Sequence, residues 1–544
     1  MKRPIPSLVL AALLSAAAAH AGPPPADPLI ASHGIAVVAT ESGTLQGFIH
    51  RGIYTYRGVP YARAGRFQPP AKVPGWNGIR TALSYGYICP QVQAATLNEL
   101  GEFFVPHRYW VSNDDCQNLN IWTPSISDGR RRPVMVWFHG GGFTNGSAIE
   151  QVAYDGENLS RRGDVVVVTV NHRLNVTGFL DLSAYGDRYK ESGNLGIMDL
   201  VAALQWVQAN IAHFGGDAAN VTVFGQSGGG GKVTTLMATP AARGLFHKAI
   251  IESGSLRGMG MTLAEPGTSR RVAELTLKNL GLDATQVDQL ESMPFDQLNA
   301  AATRALKTAG EELGTKGLFG GGLQWSPVAD GDYIPTQPFG SAAPAQSRDV
   351  ALMVGTTLNE FPLADFNPRT RGSRDWSFEQ LQSYLRETYG SRAEAVMAAY
   401  RASYPDMKAS DWLAVDTLFR PGAIATADMK ADQRGAPVYL YLFTWQSPVM
   451  DGWARSGHCA EIPFVFDNVA LTEQANGGGK AAYAMAGKVS QAWINFARTG
   501  NPDNPALPHW PAHTRENGAT MILDNTSVVR NHHDATLMSL LAPN

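Results

Sequence analysis

Apolar residues along this chain fall into short unbroken runs separated by stretches that repeat with a helical period. Val134-Met-Val-Trp-Phe138 and Val165-Val-Val-Val-Thr-Val170 are nearly all apolar and rich in β-branched side chains, as expected of strands buried on both faces of a parallel sheet. Leu200, Leu204, Val207, Ile211 and Phe214 then recur at three- and four-residue steps, which predicts a helix with one buried stripe. Residues 221–224 predict another strand, followed by glycines and a helix carrying Val233, Leu236 and Met237. Further strands are expected at 249–251, 350–354 and 438–443, and a long helix near 481–498. Alternation of this kind specifies a parallel sheet covered by helices. Mostly helical patterns at 257–320 and 363–435, such as Phe378-Glu-Gln-Leu-Gln-Ser-Tyr-Leu385, interrupt the rhythm and are read as excursions over one end of the sheet.

Composition narrows the class. The 544 residues are 44% hydrophobic and 17% charged, with a formal net charge of -3 and a mean hydropathy of -0.15. These values exclude a disordered chain, a polytopic membrane protein and a strongly basic nucleic-acid binder. Length alone would suggest several domains at ~150 residues each. The chain has neither a low-complexity linker nor a fixed-period repeat, however, so residues 22–544 are read as one catalytic domain with insertions.

At the N-terminus, Lys2 and Arg3 precede an apolar run over 8–19 that ends in Ala19-His20-Ala21, a small-x-small pattern. Residues 1–21 therefore read as a secretory signal cleaved after Ala21, too short for stable membrane insertion, which needs ~20 apolar residues. The expected location is secreted or periplasmic, where disulfides are admissible.

Two glycine-rich segments carry candidate chemistry. Gly225-Gln-Ser227-Gly-Gly229 joins a predicted strand to a predicted helix and matches G-x-S-x-G, in which the glycines let a serine sit on a sharp elbow. A phosphate-binding loop ending on Lys232 is the rival reading, but it would require glycine at Gln226 and a hydroxyl at Val233. His139-Gly140-Gly141-Gly142-Phe143 follows the 134–138 strand and matches the H-G-G-G element whose backbone N–H groups bind an oxyanion.

Together with Tyr56-Arg-Gly-Val-Pro-Tyr-Ala62, Asp115-Cys-Gln-Asn-Leu-Asn-Ile-Trp-Thr-Pro124, Gly193-Asn-Leu-Gly196, Phe214-Gly-Gly-Asp217 and Ala492-Trp-Ile-Asn-Phe-Ala-Arg-Thr-Gly500, these segments resemble the type-B carboxylesterases over almost the whole chain. The resemblance implies an α/β-hydrolase fold and a triad in the order Ser, Glu, His: Ser227, then Glu360 in Gly355-Thr-Thr-Leu-Asn-Glu360-Phe, then His458 in Gly457-His458-Cys-Ala-Glu461-Ile-Pro-Phe464. It also implies Gly141, Gly142 and Gly228 as oxyanion donors, Ser253 in Ser253-Gly-Ser255 as a support for the acid and histidine, and a Cys89–Cys116 bridge that leaves Cys459 as a free thiol. The expected substrate is a small-molecule ester, with no metal, organic cofactor or nucleic acid. Two departures from the family pattern stand at the site: Gln226 where glutamate is common, and Phe361 where glycine is common. A silent esterase-like binding protein would share the fold, and amide or other acyl transfer would share the machinery. Retention of all three triad residues favours an ester hydrolase, and the missing carboxylate at Gln226 favours uncharged esters.

Overall fold

The structure, a computed structural model, describes residues 28–541 except 93–95, 257–261, 316–321, 362–364 and 366. The signal reading of residues 1–21 lies outside the described residues. Each apolar run named above is a strand: Arg132–Phe138, Val166–Val170, Gly216–Gln226, Lys248–Glu252, Ala351–Thr357 and Val438–Phe443. They lie in one sheet of eleven strands among the described residues, with Ala351–Thr357, Lys248–Glu252, Gly216–Gln226, Arg132–Phe138 and Val166–Val170 as consecutive parallel neighbours. Every residue of Arg132–Phe138 and Val166–Val170 is buried, which is why neither strand alternates in sequence.

Helices cover both faces. Leu200, Leu204 and Val207 of Leu195–Asn210 pack into one core, and Val489, Trp493 and Phe496 of Lys480–Thr499 pack into the other. The predicted stripe is split between two geometries, since Ile211 and Phe214 sit in a 3₁₀ turn, Ile211–Phe214, that follows the α-helix. Asn210 donates from Nδ2 to the Trp206 carbonyl at 3.0 Å, and Gly215, at φ 74°, ends the turn. The sheet also contains strands the pattern did not announce. Ile53–Pro60 carries an arginine, a glycine and a proline and breaks register within its pairing to Asn118–Thr123, so it lacks a clean alternation. Ala519–Leu523 is short and pairs parallel to Val438–Phe443.

Within the interrupting segments lie the helices Pro266–Leu280 and Phe295–Glu312, then Phe378–Tyr389, Ala393–Ser403 and Arg420–Asp432. Phe378–Tyr389 begins with a capping box, in which the Ser377 side chain accepts from the Gln380 N–H and the Gln380 side chain accepts from the Ser377 N–H. Cys89 and Cys116 are joined in a disulfide with a Cα separation of 5.0 Å. Such a bond persists in extracellular or periplasmic surroundings.

Candidate active site

Parallel strands deliver their carboxyl ends to one edge of the sheet, and the candidate residues follow those ends directly. Ser227 comes after Gln226, Ser253 after Glu252, the glycine loop after Phe138, and Glu360 three residues after Thr357. At Ser227 the backbone turns from strand to helix with φ 56° and ψ -125°, a conformation that costs a non-glycine residue on the order of 1–3 kcal/mol. The turn is tight enough that a Cβ on Gly229 would lie 2.0 Å from the Phe138 carbonyl oxygen. Glycine at that position is therefore a packing requirement. The Ser227 N–H donates to the Glu252 carbonyl at 2.8 Å and ties the elbow to the next strand.

The glycine loop runs against the elbow. A Cβ on Gly140 would be 3.6 Å from the Ser227 Cβ, and one on Gly228 would be 2.4 Å from the Gly142 nitrogen. Gly141 and Gly142 adopt φ 76° and 62°. Among the described residues their N–H groups donate to no protein acceptor. Gly228 opens the helix Gly228–Leu236, where the first N–H groups have no intrahelical partner. The glycine loop and the start of the elbow helix thus meet at Ser227, and their N–H groups are the available backbone donors.

Glu360 and His458 form a pair. The imidazole Nδ1 is 2.5 Å from Glu360 Oε2, and the His458 N–H donates to the Glu360 carbonyl at 2.8 Å. The other carboxylate oxygen accepts from the Ser253 hydroxyl at 2.5 Å and the Thr357 N–H at 2.8 Å. The Glu360 side chain is wholly buried and that of His458 is 12% exposed. Phe361 and Phe419 pack on the imidazole with ring centroids at 4.3 and 5.4 Å, and Gln226 Nε2 lies 3.3 Å from both ring nitrogens. Among the described residues Ser227 and His458 share no direct hydrogen bond. A cavity beside the imidazole is lined by Phe104, Trp445, Phe464, Cys459 and His458, and Ser227 is not part of its wall.

A family model described as the carboxylesterase family matches residues 35–540. The chain belongs to the carboxylesterase family. It is 35% identical to the para-nitrobenzyl esterase of Bacillus subtilis (strain 168) over 93% of its own length and 98% of the relative's. It is 34% identical to the phenmedipham hydrolase of Pseudarthrobacter oxydans, over 90% and 94% of the two chains. Its structure superposes on an esterase from Clostridium hathewayi, reported to hydrolyse aliphatic aromatic polyesters, with a TM-score of 0.83 and 39% identity, covering 93% and 97%. The fold is accordingly the α/β-hydrolase fold, and the carboxylesterase acts on small-molecule esters.

Near the His458–Glu360 pair of this carboxylesterase lie acids that no motif singled out. Glu252 accepts from the Trp493 indole N–H at 2.8 Å, and burial pushes its carboxyl up to about 8. Burial first, then Glu252 and Glu360, push Glu461 well above the carboxylate range. Asp416 is raised to about 7 by burial and then by Glu360, against the pull of the Leu418, Arg420 and Phe419 N–H groups. Glu252 precedes Ser253 and Glu461 follows His458, so proximity to the motifs was a usable signal for both. Asp416 lies in an irregular segment and carries none.

Proposed function

We propose that this carboxylesterase is a secreted serine hydrolase that works through an acyl-enzyme on Ser227, with His458 as base and Glu360 as its orienting acid. The observation that carries the reading is the buried Glu360–His458 pair beside a serine held at positive φ and flanked by glycine N–H groups without protein acceptors. His458 Nε2 takes the proton of the Ser227 hydroxyl as Oγ attacks the ester carbonyl. Because Glu360 fixes Nδ1, it sets the tautomer and stabilises the imidazolium. The N–H groups of Gly141, Gly142 and Gly228 receive the negative charge of the tetrahedral intermediate, each worth ~3 kcal/mol in comparable sites. His458 then protonates the leaving alcohol, and water activated by the same imidazole releases the acid. The Gln226 carboxamide, which contacts both ring nitrogens, has to yield as the hydroxyl–imidazole bond forms, a tightening common in serine hydrolases on substrate binding.

Uncharged esters of small to medium size fit this site best. With glutamine at 226, no carboxylate adjoins the nucleophile to attract a cationic leaving group. Benzyl esters are the starting choice, since a relative is named a para-nitrobenzyl esterase. Ser227→Ala is expected to retain the circular dichroism of the wild type, lose organophosphate labelling and lose at least ~10³ in kcat. Wild-type kcat in that variant would end the reading. A kcat/KM for acetylthiocholine above that for p-nitrophenyl acetate would refute the substrate preference.

A further inference from the structure

The glycine run after the elbow ends on Lys232, which fits no phosphate loop and has no part in the mechanism above. Its side chain is wholly buried inside the elbow helix. The Nζ donates to the His139 carbonyl at 2.8 Å and to the Gly140 carbonyl at 3.3 Å. Among the described residues no carboxylate lies within ion-pair distance of it. Glu150 is the acid whose charge it feels. His139 and His172 stack nearby with centroids at 5.0 Å; burial, then the Lys232 charge, holds both imidazoles well below the ordinary histidine range.

The two carbonyls matter because of what shares their peptide planes. The Gly140 carbonyl and the Gly141 N–H belong to one planar trans unit and point in opposite directions. Gripping the oxygen from behind therefore fixes where the N–H points. Glycine on both sides gives this unit little steric resistance to rotation, and Gly141 sits at φ 76°. The unit's carbonyl is held by two side chains, the His139 Nδ1 at 3.0 Å and the Lys232 Nζ at 3.3 Å.

We propose that Lys232 is a positioning residue of the oxyanion hole, which holds the Gly140–Gly141 peptide so that the Gly141 N–H faces the charged oxygen of the tetrahedral intermediate. The proposal rests on the serine-esterase reading and deepens it. Burial lowers the ammonium to about 7 while Glu150 opposes the fall, and both the ammonium and the neutral amine carry enough N–H donors for two carbonyls. A donor aligned in advance acts where charge develops, so the benefit appears in the transition state and hardly in the ground state.

The test compares Lys232→Met and Lys232→Gln with Ser227→Ala, using p-nitrophenyl acetate and a trifluoromethyl ketone that forms a tetrahedral oxyanion adduct on a serine. Active-site titration with an organophosphate normalises the rates. Lys232→Met should melt cooperatively, keep KM within about threefold, and lose roughly 10- to 100-fold in kcat, short of deleting a donor outright. The ketone's Ki should rise by the same factor, because it reports the oxyanion contacts. Lys232→Gln, which keeps an N–H donor, should fall between Met and the wild type. If Lys232→Met fails to fold, Lys232→Gln carries the test with the same KM, kcat and Ki criteria. Wild-type kcat and Ki in the folded variant, or a loss confined to KM, would overturn the role of Lys232 while a silent Ser227→Ala leaves the serine mechanism standing. An active Ser227→Ala would overturn both.

Discussion

Arg420 and Asp534 meet in the core as a bidentate pair, Nε to Oδ2 at 2.9 Å and Nη2 to Oδ1 at 3.0 Å, with both side chains at most 2% exposed. Glu252 and Glu461 are buried as deeply near His458, yet among the described residues neither has a cation, and both oxygens of Glu461 lack a protein partner. The outcomes are opposite. Burial alone would raise Asp534, but the Arg420 guanidinium more than offsets it and holds the carboxyl below its ordinary range. Glu252 and Glu461 have no such partner, so the uncharged form prevails. Arg173 and Asp199 repeat the paired arrangement, with contacts of 2.9 and 2.7 Å. Arg420–Asp534 and Arg173–Asp199 are buried as matched pairs, whereas Glu252 and Glu461 stand without a cation near the Glu360–His458 pair.

The largest effect should come from breaking a pair. Asp534→Ala leaves the Arg420 guanidinium buried opposite a void, and a loss of ~3–5 kcal/mol is expected from urea unfolding. A loss below ~1 kcal/mol would erase the contrast. The sign with pH follows from the lowered carboxyl: the pair's contribution is present above the unfolded carboxylate pKa of ~3.9 and is lost as pH falls below it.

Glu252 should behave in reverse. Folded, it keeps its proton up to about 8. Unfolded, it releases that proton near pH ~4.3. Between those values the unfolded state binds fewer protons, so stability declines as pH rises and levels off above 8. Glu252→Gln removes the decline, and its gain over the wild type should be larger at pH 8 than at pH 5 by roughly 3–4 kcal/mol. Equal differences at the two pH values would show that the acid ionises as freely inside as outside.

The same contrast explains what could be read in advance. Strands such as Arg132–Phe138 were legible because burial on both faces leaves one unbroken apolar run, and the Ser227 elbow and the glycine loop because each sits in a short motif shaped by backbone geometry, whereas Glu360 and His458 were singled out only by the resemblance to the family. Ile53–Pro60 was not, since its half-buried pattern with a bulge has no period to detect. Pairings such as Arg420 with Asp534 span 114 positions and leave no local trace. Lys232 was visible as a lysine after glycines, but the carbonyls it grips lie about ninety positions earlier, on another strand's end.

Cys459 gives the smallest and most local test. The thiol adjoins the unmatched acids, and burial, then Glu461, pushes it well above its ordinary value. Its Sγ donates to Gln226 Oε1 at 3.2 Å, and Gln226 contacts the His458 imidazole. A thiol held uncharged is a poor nucleophile even though part of the residue faces the cavity. Iodoacetamide at pH 8 should therefore label Cys459 over hours, with activity falling in step as the added group displaces Gln226 against His458. Cys459→Ser, which keeps a donor to Gln226, should change kcat by less than about threefold, since only a neutral hydrogen bond is exchanged. Labelling complete within minutes would mean that the thiolate is populated beside Glu461, which is incompatible with acids and a thiol sharing one unmatched, low-dielectric pocket.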